Sequence, residues 1–119
     1  MPLTLGQRLK ALRRDTNLTL RELGKKVGVD FTYLSKIEND KTDNRPPSAD
    51  LLSRLAQVLN ADEGELMLLA RRIPEEAKKI FTTDKNALQF FRTIKNSNRD
   101  QKFWDEINEL VEKHTKRNG

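Results

Sequence analysis

The chain has 119 residues, no cysteine and a net charge of +5, with 34% of its positions charged and 35% hydrophobic. That length suits one compact domain with an appendage rather than two full domains, and the lack of thiols excludes disulfides and thiolate metal sites. No apolar run is longer than Leu66 to Ala70, far short of the roughly twenty residues a bilayer span needs. Met1 to Leu5 carries no signal-peptide pattern, so no membrane role and a cytoplasmic location are expected.

Thr4 can cap a first helix running to about Asp15, with Leu5, Leu9 and Leu12 on one buried stripe. Thr19-Leu-Arg-Glu22 has the capping-box pattern, in which the threonine oxygen accepts from the third helical amide and the glutamate reaches back to the cap amide. In the helix it opens, Leu23 and Val27 form an apolar stripe. Gly24 beside them lets a neighbouring helix come close, and Gly28 ends the helix. Val29 plugs the turn, and Asp30 caps a second short helix from Phe31 to about Asn39. Two helices joined by about three residues have helix-turn-helix spacing.

At roughly 100° per residue the helix from Phe31 sorts into faces. Leu34 and Ile37 mark the buried side, with Glu38 at its edge. Thr32, Lys36 and Asn39 fall nearly opposite, flanked by Ser35 and Tyr33, with Phe31 at the N-terminal end. This outer face is polar, rich in donors and free of acids, which suits phosphate walls and base edges in a major groove. A merely solvated face is the alternative for any isolated helix.

After Asn39 comes a polar loop, Asp40-Lys-Thr-Asp-Asn-Arg-Pro-Pro47. Ser48 then caps a fourth helix to about Leu59, with Leu51, Leu52, Leu55 and Leu59 inward and Asn60 at its end. Asp62-Glu-Gly-Glu65 repeats the capping-box pattern before a fifth helix, whose Leu66, Leu69 and Ala70 complete the core. Five short helices around one leucine-rich interior make an all-α domain.

The stretch from Leu5 to Ala70 resembles the phage-repressor (Xre, lambda-repressor-like) helix-turn-helix family. The capping box, the Gly28-Val29 turn, Leu34-Ser-Lys-Ile-Glu-Asn39 and the Pro47-Ser48 start of a leucine-rich helix carry the resemblance. It implies a five-helix DNA-binding domain over residues 1–72 and sequence-specific binding of double-stranded DNA as a transcriptional regulator, a repressor above all. It also implies a structural ion pair between Arg13 and Glu38, and a second helix whose N-terminus, with its free amides and partial positive charge, faces the DNA backbone. Carried onto this chain, Phe31, Thr32, Ser35 and Lys36 are the base-reading candidates, with Lys36 suited to guanine O6 and N7. Thr19, Arg21, Tyr33, Asn39, Lys41 and Arg45 are the phosphate candidates. The chain departs from the family at Leu20, where a polar amide is common, and at Asp40, where glycine is usual. Strain or a different turn is expected at Asp40.

Residues 73–119 read as a C-terminal helical extension. A short helix starts near Pro74 with Ala77, Ile80 and Phe81 on one face, and Asp84 caps another with Ala87, Leu88, Phe90, Phe91 and Ile94. The last helix runs to about His114 with Phe103, Trp104, Ile107, Leu110 and Val111 on a stripe, and Thr115 to Gly119 should fray. The extension is too small to build its own core, so its apolar positions Phe90, Phe91, Ile94, Phe103, Trp104, Ile107, Leu110 and Val111 are expected to form a dimer or partner interface. A homodimer on an inverted-repeat operator is the first expectation. An antitoxin-like or protease-partnered regulator, clamping another protein through these helices, is the alternative. RNA binding is weaker, because no sheet-like stacking platform is present. No enzyme activity, metal or cofactor is expected: there is no acid cluster or glycine-rich phosphate loop, and the sole histidine, His114, sits where a cation suits a helix end.

Overall fold

The computed structural model describes residues 3–118, and every regular element among them is an α-helix. In order these are α1 (Leu5–Asp15), α2 (Leu20–Val27), α3 (Phe31–Glu38), α4 (Ala49–Leu59), α5 (Glu63–Leu69), α6 (Glu75–Thr83), α7 (Lys85–Ile94) and α8 (Gln101–Asn118). They fall into two compact units, Met1–Glu75 and Glu76–Gly119.

The first unit is built on caps. Thr19 and Glu22 make the full reciprocal box, at 3.0 and 3.1 Å. Thr4 makes a second one with Gln7, where the sequence pattern gives only a single cap. Gly28 closes α2 with φ of 76°, a conformation that favours glycine. The Asp62 carboxylate caps α5 through the Glu65 amide, but the box expected there is only half made. Glu65 turns away to Arg8, whose Nε donates to its carboxylate at 2.5 Å, because an ion pair between α1 and α5 outcompetes an exposed cap amide.

Behind the caps, Leu9, Leu12, Leu23, Val27, Leu34, Ile37, Leu52, Leu55, Leu59 and Leu66 bury into one core. The fifth helix fills it differently from expectation. Met67 is buried beside Leu66 and Ala70, whereas Leu69 is only half-buried and Leu68 is 78% exposed. Positions 66, 67 and 70 share one narrow stripe of so short a helix, and 69 lies on its flank.

Two ties seat the exit of α3 against the start of α1. Gly6 packs against the end of α3 so closely that a Cβ there would lie 2.6 Å from the Glu38 carbonyl and closer still to that of Ile37. Beyond α3, Asp40 takes the left-handed conformation with φ of 55°. Its amide donates to Ile37 O at 3.1 Å and that of Lys41 to Lys36 O at 2.8 Å, the paired bonds of a Schellman turn. The turn is therefore the one glycine would make. Its conformational cost, roughly 1–2 kcal/mol for a side chain there, is offset by the carboxylate, which accepts from Thr4 Oγ1 at 2.7 Å and from the Gly6 amide at 3.2 Å.

In the second unit no residue of α6 or α7 is buried. Phe81 and Phe91 meet edge-on at 6.4 Å between ring centroids, and Phe103 and Trp104 at 5.0 Å. The last helix does not stop at His114; it continues to Asn118. Lys116 and Arg117 in its final turn suit the negative helix end, and Glu109 pairs with Lys113 at 3.2 Å one turn earlier.

Candidate nucleic-acid interface

The reading helix is held from one side only. Leu34, Ile37 and Glu38 are buried, while Phe31, Thr32, Tyr33, Lys36 and Asn39 are exposed and Ser35 is half-buried. Its start is fixed by Asp30, which accepts from the Thr32 amide at 2.7 Å. Its end is fixed by Glu38, whose carboxylate receives Arg13 Nε at 2.7 Å and Nη2 at 3.0 Å. Arg13 Nη1 donates in addition to Leu18 O at 2.8 Å, so one guanidinium joins α1, α3 and the loop between α1 and α2. That hydrogen-bonded pairing holds the Arg13 guanidinium above its usual pKa despite the opposing effect of burial.

Around this face lie the other candidates. Thr19 and Arg21 are exposed at the start of α2, and Lys41 and Arg45 are exposed in the loop after α3. Three groups of the expected residues come together: Arg13 with Glu38, Arg21 with Phe31, and Ser35 with Asn39. The Arg21 guanidinium carbon stands 4.2 Å above the Phe31 ring centroid. Asn39 folds back along α3, its Nδ2 donating to Ser35 O at 2.8 Å. In the second unit Phe90, Phe91, Leu110 and Val111 are exposed, and Ile94, Phe103, Trp104 and Ile107 are half-buried.

Supporting residues that the sequence reading missed are Arg54, Arg72 and Asp40. Arg54 donates through Nη1 to Val27 O at the end of α2 and pairs through Nη2 with Asp50 at 3.2 Å. Arg72 donates to the carbonyls of Pro47 at 2.9 Å and Pro46 at 3.1 Å, fastening the end of the long loop. The sequence signalled Asp40 only as an odd residue where glycine is usual. Long-range arginine bonds to carbonyls leave no periodic signature.

Two caps of this face are acid-sensitive. The Thr19 amide, donating to Glu22, and the Thr32 amide, donating to Asp30, are the main reasons both carboxyls lie below their ordinary range. A carboxyl depressed in the folded chain adds stability above its unfolded pKa of about 4, and that stability is lost as pH falls through the folded value. The urea midpoint of the helical signal should therefore drop as the pH falls below about 4, and Asp30→Asn should make that drop shallower. A variant whose midpoint falls as steeply as the parent's would rule out the Asp30 contribution.

Two short helices across a glycine turn, the second presenting an acid-free polar face, define a helix-turn-helix protein. Residues 4–69 match the family described as "Helix-turn-helix domain". The chain belongs to that family, in its phage-repressor form, the class of DNA-binding transcriptional regulators. It is 36% identical over 72 residues to the "ImmF control region 10 kDa protein" of Bacillus phage phi105, covering 60% of this chain and 77% of that one. It is 36% identical over 63 residues to the "HTH-type transcriptional regulator SinR" of Bacillus subtilis, covering 53% of this chain and 55% of SinR, about half the relative's length. The solved "SINR PROTEIN/SINI PROTEIN COMPLEX" is similar over 95% of this chain and 99% of that chain, with 26% identity and a TM-score of 0.50. No helix among the described residues is long and apolar enough to cross a membrane.

Proposed function

We propose that this chain is a sequence-specific regulator of transcription, a repressor by occupancy, which places α3 in the major groove of an operator as a homodimer. The observation that carries this reading is the one-sided burial of α3: Leu34, Ile37 and Glu38 anchor it while Thr32, Tyr33 and Lys36 stand outward with no acid among them. Residues 1–45 hold ten Lys or Arg against six Asp or Glu, which accounts for most of the net charge of +5. The positive end thus coincides with the reading face.

Within this reading Lys36 donates to guanine, Thr32 and Ser35 read neighbouring edges, and Phe31 meets an apolar feature. Thr19, Arg21, Tyr33, Lys41 and Arg45 grip phosphates, and Asn39 contributes through whatever capacity its bond to Ser35 leaves. Lys36→Ala should lose about 1–3 kcal/mol on the operator and relax one base position, whereas Arg45→Ala should weaken all sequences alike. Competition titrations against random duplex check this; equal losses on both would refute the division of roles.

Residues 73–119 join two copies, through Phe90, Phe91, Leu110 and Val111 above all. A unit of this size leaving four such side chains exposed cannot supply its own core. Selection of duplexes from a random pool by the full chain should return an inverted repeat with half-sites about 34 Å apart and a strong salt dependence. A single unrepeated motif would refute the dimer. One observation favours a second reading: the likeness to a SinR/SinI complex extends over 95% of this chain. In that reading the extension binds a different protein. A chain that is monomeric in light scattering at micromolar concentration, yet co-purifies with another protein in stoichiometric amount, would shift the case to it.

A further inference from the structure

Phe31 is an unusual first residue for a groove-reading helix. Its side chain has no donor or acceptor, and at the edge of the face that carries Leu34 it is 37% exposed. Three of the four bases present only donors and acceptors on their major-groove edge; the one apolar feature there is the C5-methyl of thymine. An apolar ring that meets base edges from this position gains selectivity by covering such a methyl, since its side chain cannot hydrogen-bond to them.

The ring is also fixed. Arg21, near the start of α2, lays its guanidinium 4.2 Å over the ring centroid, within cation–π range. The stack ties together the first turns of α2 and α3. It limits the rotamers open to the phenyl group and so lowers the ordering cost on contact with DNA. With the residue 37% exposed, part of the ring stays open to a ligand.

We infer that the Arg21–Phe31 stack reads a pyrimidine 5-methyl group, so that the protein separates thymine from uracil and from cytosine at one position of each half-site, and accepts 5-methylcytosine there as it does thymine. This rests on the reading of α3 as the groove-inserted helix. It makes binding sensitive to cytosine methylation at that position, a property that hydrogen bonding to base edges alone would not give. Arg21 acts as a positioning residue as well as a phosphate anchor.

The test uses the full chain and the preferred duplex from the random-pool selection. Each thymine is replaced singly by deoxyuridine, which removes the methyl and nothing else. One thymine in each half-site should lose about four-fold in affinity, the value of one buried methyl. With cytosine at that position, 5-methylation should recover a similar factor. In Phe31→Ala the factor should fall to near one, and in Arg21→Ala it should shrink while affinity for every sequence drops. A preferred duplex with no uracil-sensitive thymine overturns this inference and leaves the groove reading standing. A methyl effect undiminished in Phe31→Ala overturns it too, and one undiminished in Arg21→Ala removes the arginine from the reader. A selection that returns no preferred duplex overturns the groove reading and this inference together.

Discussion

Replacing Glu38 with alanine is expected to cost about 3–5 kcal/mol of folding free energy, the usual penalty for removing one partner of a buried ion pair. The side chains of Arg13 and Glu38 are 13% and 4% exposed, so water cannot take over the contacts. With Glu38 gone, two of the three bonds made by Arg13 are lost, and only Leu18 O remains. The guanidinium cannot escape by giving up its proton, because arginine stays charged in proteins. For a unit of about 75 residues such a loss is comparable to total stability, so urea unfolding of the variant should show a large unfolded fraction even without denaturant. The double variant Arg13→Met, Glu38→Leu should recover most of the loss, since it leaves no orphaned charge. A single-variant loss below about 1 kcal/mol would mean the pair behaves as a surface pair.

The second large effect concerns a glycine inside a helix, where alanine is ordinarily better by up to about 1 kcal/mol. Gly6→Ala should reverse that sign and cost about 1–3 kcal/mol or more. The added methyl would meet the Glu38 carbonyl at 2.6 Å and Asp40 Oδ1 at 2.7 Å, and two of its three nearest atoms are backbone that cannot rotate aside. Gly64→Ala is the internal comparison: nothing there lies nearer than 3.6 Å, so it should stabilise by a few tenths of a kcal/mol. Thermal melts of the two variants should therefore move in opposite directions. If Gly6→Ala also raises the midpoint, α1 and α3 do not pack in direct contact at Gly6.

Much of the first unit was legible because its signals are local. Thr19, Asp30 and Ser48 each announce a helix by a side chain two or three residues from the amide it satisfies. Leucines at helical spacing then declare the inward face. Pairings across the chain were not legible in this way. Arg8 with Glu65, Arg54 with Val27 and Arg72 with the proline carbonyls join positions more than twenty residues apart, and many arginines could have served. The fifth helix misled because three consecutive leucine-like residues follow Leu66, and periodicity over seven residues is too short to rank them. The end of α8 misled because a charged C-terminal stretch looks like a fraying tail. Here its Glu–Lys spacing and basic last turn support the helix instead. For the interface, the residues of α3 were readable by angle. The stacking of Arg21 on Phe31 was not, because nothing in the sequence relates positions ten apart on different helices.

Asp40 finally has a mechanical meaning. By gripping the hydroxyl of Thr4 and the amide of Gly6, it turns the exit of α3 into an anchorage on α1 rather than a free hinge. Whatever happens further along the loop is thereby isolated from the reading helix. Between the Lys41 amide, bonded to α3, and Pro46, held by Arg72, the segment from Thr42 to Arg45 can lengthen or wrap a neighbouring backbone, and the pitch of α3 stays as the anchorage sets it. A loop so insulated is free to diverge between related proteins without altering how the groove is entered.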